Sequence, residues 1–311
     1  MKILLIGAGS VGAYFCGRAA LGGADVEVLV RRSHGEIIRD GYKVESIAGD
    51  FSFRPVRVID TAADVSDDID FIVMATKVLP EIDRVKLLAP AAGLPHHPPV
   101  ILIQNGVGIE EEIASAFPEN EIISVIAYIG ASRKAVNHIC HTGAGKLIMG
   151  RFGGGASLNT ECAAQLFRSG GVECVVTENI ALERWRKLLW NLPFNPVSVL
   201  GGGLDTSELC DGGCTEELCS ILMDEVIAVA NAVGVPLTRK MADEQIGYTR
   251  NFPPYKTSML QDFTAGRPLE VDAILGNMVK MAEKYHVPVP YAKCCYLLLK
   301  SADFKNRMGN K

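Results

Sequence analysis

The chain has no unbroken apolar run of the roughly eighteen residues that a membrane-crossing helix needs, so none is expected. It has no excess of positive charge either: 31 Lys and Arg stand against 36 Asp and Glu, a net charge of −5. That balance argues against nucleic acid or an anionic membrane as its main partner. Its nine cysteines are odd in number and include no CxxC pair. Gly7, Gly9 and Ser10 interrupt the N-terminal apolar segment where a secretory signal would run unbroken. Reduced thiols in a cytoplasmic protein are therefore expected. His138-Ile139-Cys140-His141 has no second ligand pair at structural-zinc spacing, so no metal site is expected. Repeats and low-complexity tracts are missing as well.

What the chain does have is length and patterning. Its 311 residues suffice for two domains with separate cores. Hydrophobic residues make up 48% and charged ones 22%, ordinary for a globular protein. The short apolar run Lys2–Ile6 leads into Gly7-Ala8-Gly9-Ser10-Val11-Gly12 and then a helical stretch. A lone GxGxxG is weak, but between a strand and a helix it is the dinucleotide-binding turn. Gly7 permits the tight turn, Gly9 lets backbone approach a pyrophosphate, and Gly12 lets helix and strand pack closely. Free N–H groups at the helix start then face the anion.

The second strand ends in Arg31-Arg32, where an NAD-selective site would place an acid. Guanidiniums suit a 2′-phosphate instead, and so NADP(H) is the expected cofactor. Lys77 follows the apolar strand 71–76, and Asn105-Gly106 follows the strand 100–103. Ligands of doubly wound sheets bind at such carboxyl ends.

Strands and helices alternate up to about Thr177. Tyr42–Ile47 and Phe51–Val58 flank Gly49-Asp50 as a hairpin. Further strands are predicted at 122–129, 135–140, 146–150 and 172–176, with a helix near 159–168. Beyond Glu178 helical windows dominate, at 218–233, 274–285 and 291–302 among others. The predicted fold class is an α/β Rossmann-type dinucleotide-binding domain over residues 1–178, followed by an all-α substrate and catalytic domain over 179–311.

Within the helical half, Lys187, Asn191 and Asn195 stand four residues apart and share one helix face. Apolar Leu188, Leu189, Trp190, Leu192 and Phe194 fill the positions between them. An enclosed lysine gives up its proton more easily and suits a proton donor or oxyanion holder. The same stripe also suits the solvated side of an amphipathic helix, and spacing alone does not separate the two. Pro193 removes the bond to the Leu189 carbonyl and predicts a kink or an interruption there. Ser258 with Gln261 has capping-box spacing, marking a helix start. Asp272 reads as an N-cap, and Glu270 is free to point at a ligand.

Together and in this order, these motifs resemble the ketopantoate reductase (2-dehydropantoate 2-reductase) family over nearly the whole chain. The residues that carry the resemblance are Gly7-x-Gly9-x-x-Gly12, Arg31, Lys77, Asn105-Gly106-x-Gly108, Lys187-x3-Asn191-x3-Asn195, Ser258-Met259-Leu260-Gln261-Asp262 and Glu270-Val271-Asp272. It implies a cytoplasmic NADP-dependent oxidoreductase acting on CH–OH, one that makes pantoate for pantothenate and coenzyme A. Lys187 would be the general acid and Glu270 would position substrate. Gly7 to Gly12 (with Ala8, Ser10 and Val11), Arg31, Lys77 and Asn105 would hold NADP(H). Asn105, Asn191, Asn195 and Ser258 would contact a small 2-oxo acid. The resemblance admits a homodimer. Pro80, Asp205, Tyr255 and Leu275 depart from the family's usual residues, which leaves a related dehydrogenase for a different 2-oxo or hydroxy acid as the alternative. A third reading, a non-catalytic NADP(H) sensor, has no use for a Lys187–Glu270 pair.

Overall fold

The computed structural model describes residues 1–30, 34, 40–251 and 253–309. Arg31 and Arg32 fall outside the described residues, so the expectation about the 2′-phosphate has no structural counterpart here. The chain divides into two compact units. The first comprises Met1–Gln104 and Ile109–Ile180, the second Asn105–Gly108 and Ala181–Lys311.

The first unit is built on a ten-stranded sheet. Its strands are β1 (Lys2–Ile6), β2 (Asp25–Leu29), β3 (Tyr42–Ser46), β4 (Phe51–Phe53), β5 (Arg57–Ile59), β6 (Phe71–Met74), β7 (Val100–Ile103), β8 (Ile122–Ala135), β9 (His138–Arg151) and β10 (Glu173–Val176). They run in the order β4-β3-β9-β8-β7-β6-β1-β2-β5, with β10 also paired to β9. From β5 to β8 every pairing is parallel, with β1 between β2 and β6, and helices α1 (Ser10–Leu21), α2 (Arg84–Ala92) and α3 (Glu111–Ala116) lie along the chain between strands.

The two-residue period of the strands sorts their side chains onto two cores. Ile3, Leu5, Phe71, Val73, Ile101 and Ile103 pack with α1 and α4 (Leu158–Ser169). Leu4, Ile6, Ile72, Met74, Val100 and Leu102 pack with α2 and α3 on the other face. Both faces are covered, as a parallel sheet requires.

Several expected boundaries shift. The strand expected over 51–58 is split: β4 pairs antiparallel with β3, whereas β5 pairs parallel with β2. Pro55 lies in the break and has no N–H to give to a ladder. The segments expected at 135–140 and 146–150 form one long strand, β9, antiparallel to β8. A register shift between Tyr128, which pairs with Lys146, and Ile129, which pairs with Ala144 (φ 55°), absorbs Gly145 (φ 114°), so that one strand continues through the turn residues.

The described part of the second unit is helical: α5 (Ile180–Leu200), α6 (Thr206–Leu209), α7 (Cys214–Ala232), α8 (Arg239–Asn251), α9 (Ser258–Thr264), a π-helical turn over Asp272–Gly276, α10 (Asn277–Lys284) and α11 (Pro290–Gly309). Of the kink or interruption expected at Pro193, the interruption does not occur: α5 continues through Pro193 and Pro196. Leu189, Leu192, Phe194 and Val197 around them are fully or almost fully buried. Packing on that scale offsets the lost backbone bonds. The first turn of α11 is held from α7: the buried Glu225 carboxylate accepts from the N–H groups of Tyr291 (3.0 Å) and Ala292 (2.7 Å). This satisfies two of the amides that a helix start leaves unpaired.

Candidate active site

In the first unit the glycine turn links β1 to α1, as the sequence predicts. Gly7 has φ +95°, and a Cβ there would lie 2.4 Å from the Thr76 nitrogen. One on Gly12 would lie 2.5 Å from the Gly7 carbonyl oxygen. Gly9 is different, because an added Cβ would meet nothing nearer than Arg133 at 4.0 Å. The turn is thus sealed against protein at two glycines and open at the third. Gly9 also caps α1 without a side chain, leaving the first N–H groups for an anion. The residues present fit a dinucleotide pyrophosphate.

Ala8 and Ser10 are tied to the long β8 strand. Arg133 donates to the Ala8 carbonyl, and the Ser10 hydroxyl donates to the Ala131 carbonyl at 3.2 Å. Arg133 brings a cation to the turn from more than a hundred residues away, and nothing in the local sequence announces it. Val11 is the next residue of α1. Lys77 stands shortly after β6, half-buried, beside a locked strand end. Gln104 donates to the Thr76 carbonyl (2.7 Å) and hydroxyl (3.0 Å) and accepts from the buried Arg84 (3.2 Å).

In the second unit the Lys187 amine donates to Asn105 Oδ1 at 2.8 Å. The Asn105 amide faces Glu270 at a long 3.5 Å. One carboxamide therefore bridges the predicted acid and the predicted carboxylate. The Asn105–Gly108 loop belongs to this unit by its own packing: Val107 donates to the Ala273 carbonyl (3.3 Å), and Asn277 donates back to the Val107 carbonyl (2.8 Å). Gly106 has φ +102°, and a Cβ on it would sit 2.3 Å from the Ala273 oxygen. Only glycine allows that approach.

Burial pushes the Lys187 amine down from 10.5 to about 8; Arg184 adds to the effect and Glu270 opposes it. Arg184 is a site residue that the sequence reading missed. It is buried one helical turn before Lys187 and donates to the Gly106 carbonyl at 2.9 Å. Its three-residue spacing from Lys187 was the available clue.

Asn191 and Asn195 are both buried on the same helix as Lys187. Asn195 Oδ1 accepts weakly from the Met259 N–H (3.5 Å), and its Nδ2 has no partner among the described residues. A buried amide without a partner is costly.

Two expectations about caps are corrected. Thr257, not Ser258, caps α9: its hydroxyl accepts from the Leu260 N–H (3.2 Å) and pairs with Ser198 (2.7 Å). Ser258 is exposed and does not cap its own helix. Asp272 is no cap either; its carboxylate accepts from the Tyr296 hydroxyl and from Lys300, both at 2.8 Å. Asp205 caps α6 in a full capping box with Glu208. Its charge is committed there, and hydrogen bonds led by that of Ser207 hold its pKa down. Of the histidine-cysteine segment, His138 pairs with Glu45 (2.8 Å), and His141 accepts or donates to Ser46 (2.8 Å) beside the Tyr14 ring.

The chain matches two family models, described as ketopantoate reductase PanE/ApbA over residues 3–154 and as its C-terminal part over residues 179–303. It is 33% identical to a 2-dehydropantoate 2-reductase of Nostoc sp., over 99% of this chain and 97% of that one. Among solved structures it is similar to the 2-dehydropantoate 2-reductase of Methylococcus capsulatus, with a TM-score of 0.92, 38% identity and 98% of each chain covered. It is also similar to that of Geobacter metallireducens, with a TM-score of 0.90, 29% identity, and 97% of this chain and 100% of that one covered.

Proposed function

The chain belongs to the ketopantoate reductase family, and from that membership we propose that it reduces a small 2-oxo acid with NADPH, ketopantoate (2-dehydropantoate) foremost, to the 2-hydroxy acid. The observation that carries the reading is the lowered amine of Lys187 hydrogen-bonded to Asn105, which in turn faces Glu270.

NADP(H), when bound, supplies the hydride that reduces the 2-oxo carbon. Gly7, Ala8, Gly9, Ser10, Val11 and Gly12 would hold its pyrophosphate, with Arg31 and Lys77 at the 2′-phosphate and Asn105 at the ribose. At neutral pH the Lys187 amine is still largely protonated, yet weakly enough to release its proton. It would stabilise the growing negative charge on the substrate oxygen and then protonate it. The Asn105 carboxamide fixes the direction of the amine, because Oδ1 takes one of its three protons. Glu270, on the other side of that carboxamide, would accept a substrate hydroxyl and keep the lysine charged. Asn191, Asn195 and Ser258 would contact the acid, Asn195 through its unpartnered Nδ2. No described helix is long and apolar enough to cross a membrane, in keeping with a cytoplasmic enzyme.

The test is NADPH oxidation by the purified protein with ketopantoate and a panel of branched 2-oxo acids. Turnover should be highest with ketopantoate. A higher kcat/KM for another acid would reassign the substrate, and no turnover with any would remove the reductase reading.

A further inference from the structure

Strands β6 and β7 run parallel, with Met74 opposite Leu102 in the last pair of their ladder. Two residues further on, Thr76 and Gln104 are level with one another, just past the strand ends. There a side chain takes over from the backbone. Gln104 Nε2 donates to the Thr76 carbonyl (2.7 Å) and to the Thr76 hydroxyl (3.0 Å). That carbonyl belongs to the planar peptide joining Thr76 to Lys77, so the bond sets the direction in which Lys77 leaves the sheet. The other side of Thr76 is held without Gln104. Its nitrogen lies against the glycine turn, where a Cβ on Gly7 would come within 2.4 Å of it, and the Ala75 N–H before it donates to the Ile6 carbonyl (2.8 Å).

A carboxamide fits its density of contacts in two orientations, and Arg84 selects one of them here. Arg84 is the first residue of α2 and is buried. Its Nη1 donates to Gln104 Oε1 (3.2 Å) and to the Ile109 carbonyl (2.9 Å), and its Nη2 pairs with Glu112 on α3. Turned over, Gln104 would set its amide protons against the guanidinium and its oxygen against the Thr76 carbonyl. Both contacts repel. A buried guanidinium must be paired to be tolerated, and this one is paired with the side chain that holds the peptide before Lys77.

We propose that Arg84 and Gln104 are positioning residues for Lys77, and that through it they set a preference for NADPH over NADH. This rests on the reading that Lys77 meets the adenosine 2′-phosphate. A charge-assisted hydrogen bond to phosphate depends on distance and direction. With the peptide between Thr76 and Lys77 free to turn, the amine is spread over several positions and that bond weakens. The glycine turn packs on the nitrogen side of Thr76, so it keeps its shape when the carbonyl side is released. NADH, which has no 2′-phosphate, is then held as before.

The experiment is isothermal titration of NADPH and of NADH into the full chain. It compares wild type with Gln104→Met and Arg84→Met, each with and without Lys77→Ala, and thermal unfolding by circular dichroism shows that each variant is folded. Gln104→Met is neutral, is close to glutamine in length, and leaves Arg84 its bonds to Ile109 and Glu112, so it carries the test even where Arg84→Met does not fold. Its Kd for NADPH should rise by about tenfold, while its Kd for NADH stays within about twofold. Lys77→Ala should weaken NADPH as well. In that background Gln104→Met should have no further effect, because a residue that acts through Lys77 has nothing left to act on.

Equal weakening of both cofactors by Gln104→Met, or a full effect of Gln104→Met without Lys77, would show a merely structural role and overturn the proposal. So would a Gln104→Met variant with the wild-type preference for NADPH. If Lys77→Ala itself leaves NADPH binding unchanged, the reading of Lys77 falls, and the proposal with it.

Discussion

Lys187 sits on a face with two carboxamides, and the spacing of those three residues was visible in the chain; the loss of solvation that makes the amine useful was not. With the amine at about 8, reduction that depends on its proton should fall as pH rises through about 8, by roughly tenfold per further unit. Lys187→Ala should lower kcat by roughly 10²–10⁴ while NADPH affinity hardly changes; steady-state kinetics and a cofactor titration read the two separately. Stability carries the opposite sign. The folded chain releases this proton at lower pH than the unfolded one, so the unfolded state binds more protons between about 8 and 10.5. This group's contribution to stability therefore rises with pH across that window. Denaturant melts of wild type and Lys187→Met at both ends of the window should show the difference narrowing as pH increases. Arg184 escaped the sequence reading because an arginine on a helix is usually a solvated one. What sets it apart is a carbonyl at Gly106, far away in the chain.

Elements were easier to foresee than their ends. Short continuous apolar runs announced β1, β6 and β7, and glycine spacing announced the turn into α1, because both follow from local sequence. Thr257 rather than Ser258 became the cap because Ser198, on another helix, pairs with its hydroxyl. The π-helical turn at Asp272–Gly276 was unforeseen for a similar reason: Asp272 is drawn to Tyr296 and Lys300 on α11. The Asn105–Gly108 loop makes the sharpest prediction at this scale. Gly106→Ala adds a methyl against the Ala273 carbonyl at a backbone angle that alanine avoids. It should destabilise the second unit by at least about 2 kcal/mol. It should also lower kcat, since Asn105 directs Lys187. Unchanged thermal unfolding with normal kcat would show that the loop is looser than its packing implies.

For the molecule as a whole, binding of a cofactor to the folded state alone must raise its melting temperature with concentration. NADPH should raise it further than NADH at equal concentration, and Arg31→Ala should erase most of that difference; differential scanning fluorimetry reads both. The period of the apolar residues and the spacing of the glycines were enough to announce an α/β nucleotide-binding half and a helical half, since each depends on neighbours along the chain, while the reductase residues came from the resemblance that the motifs carry in their order. Sheet order, the membership of Asn105 in the helical unit, the arrival of Arg133 at the glycine turn and the burial of Arg84 against Gln104 depend on residues brought together from distant positions. Contacts of that kind are settled when the cores pack, and no local pattern encodes them.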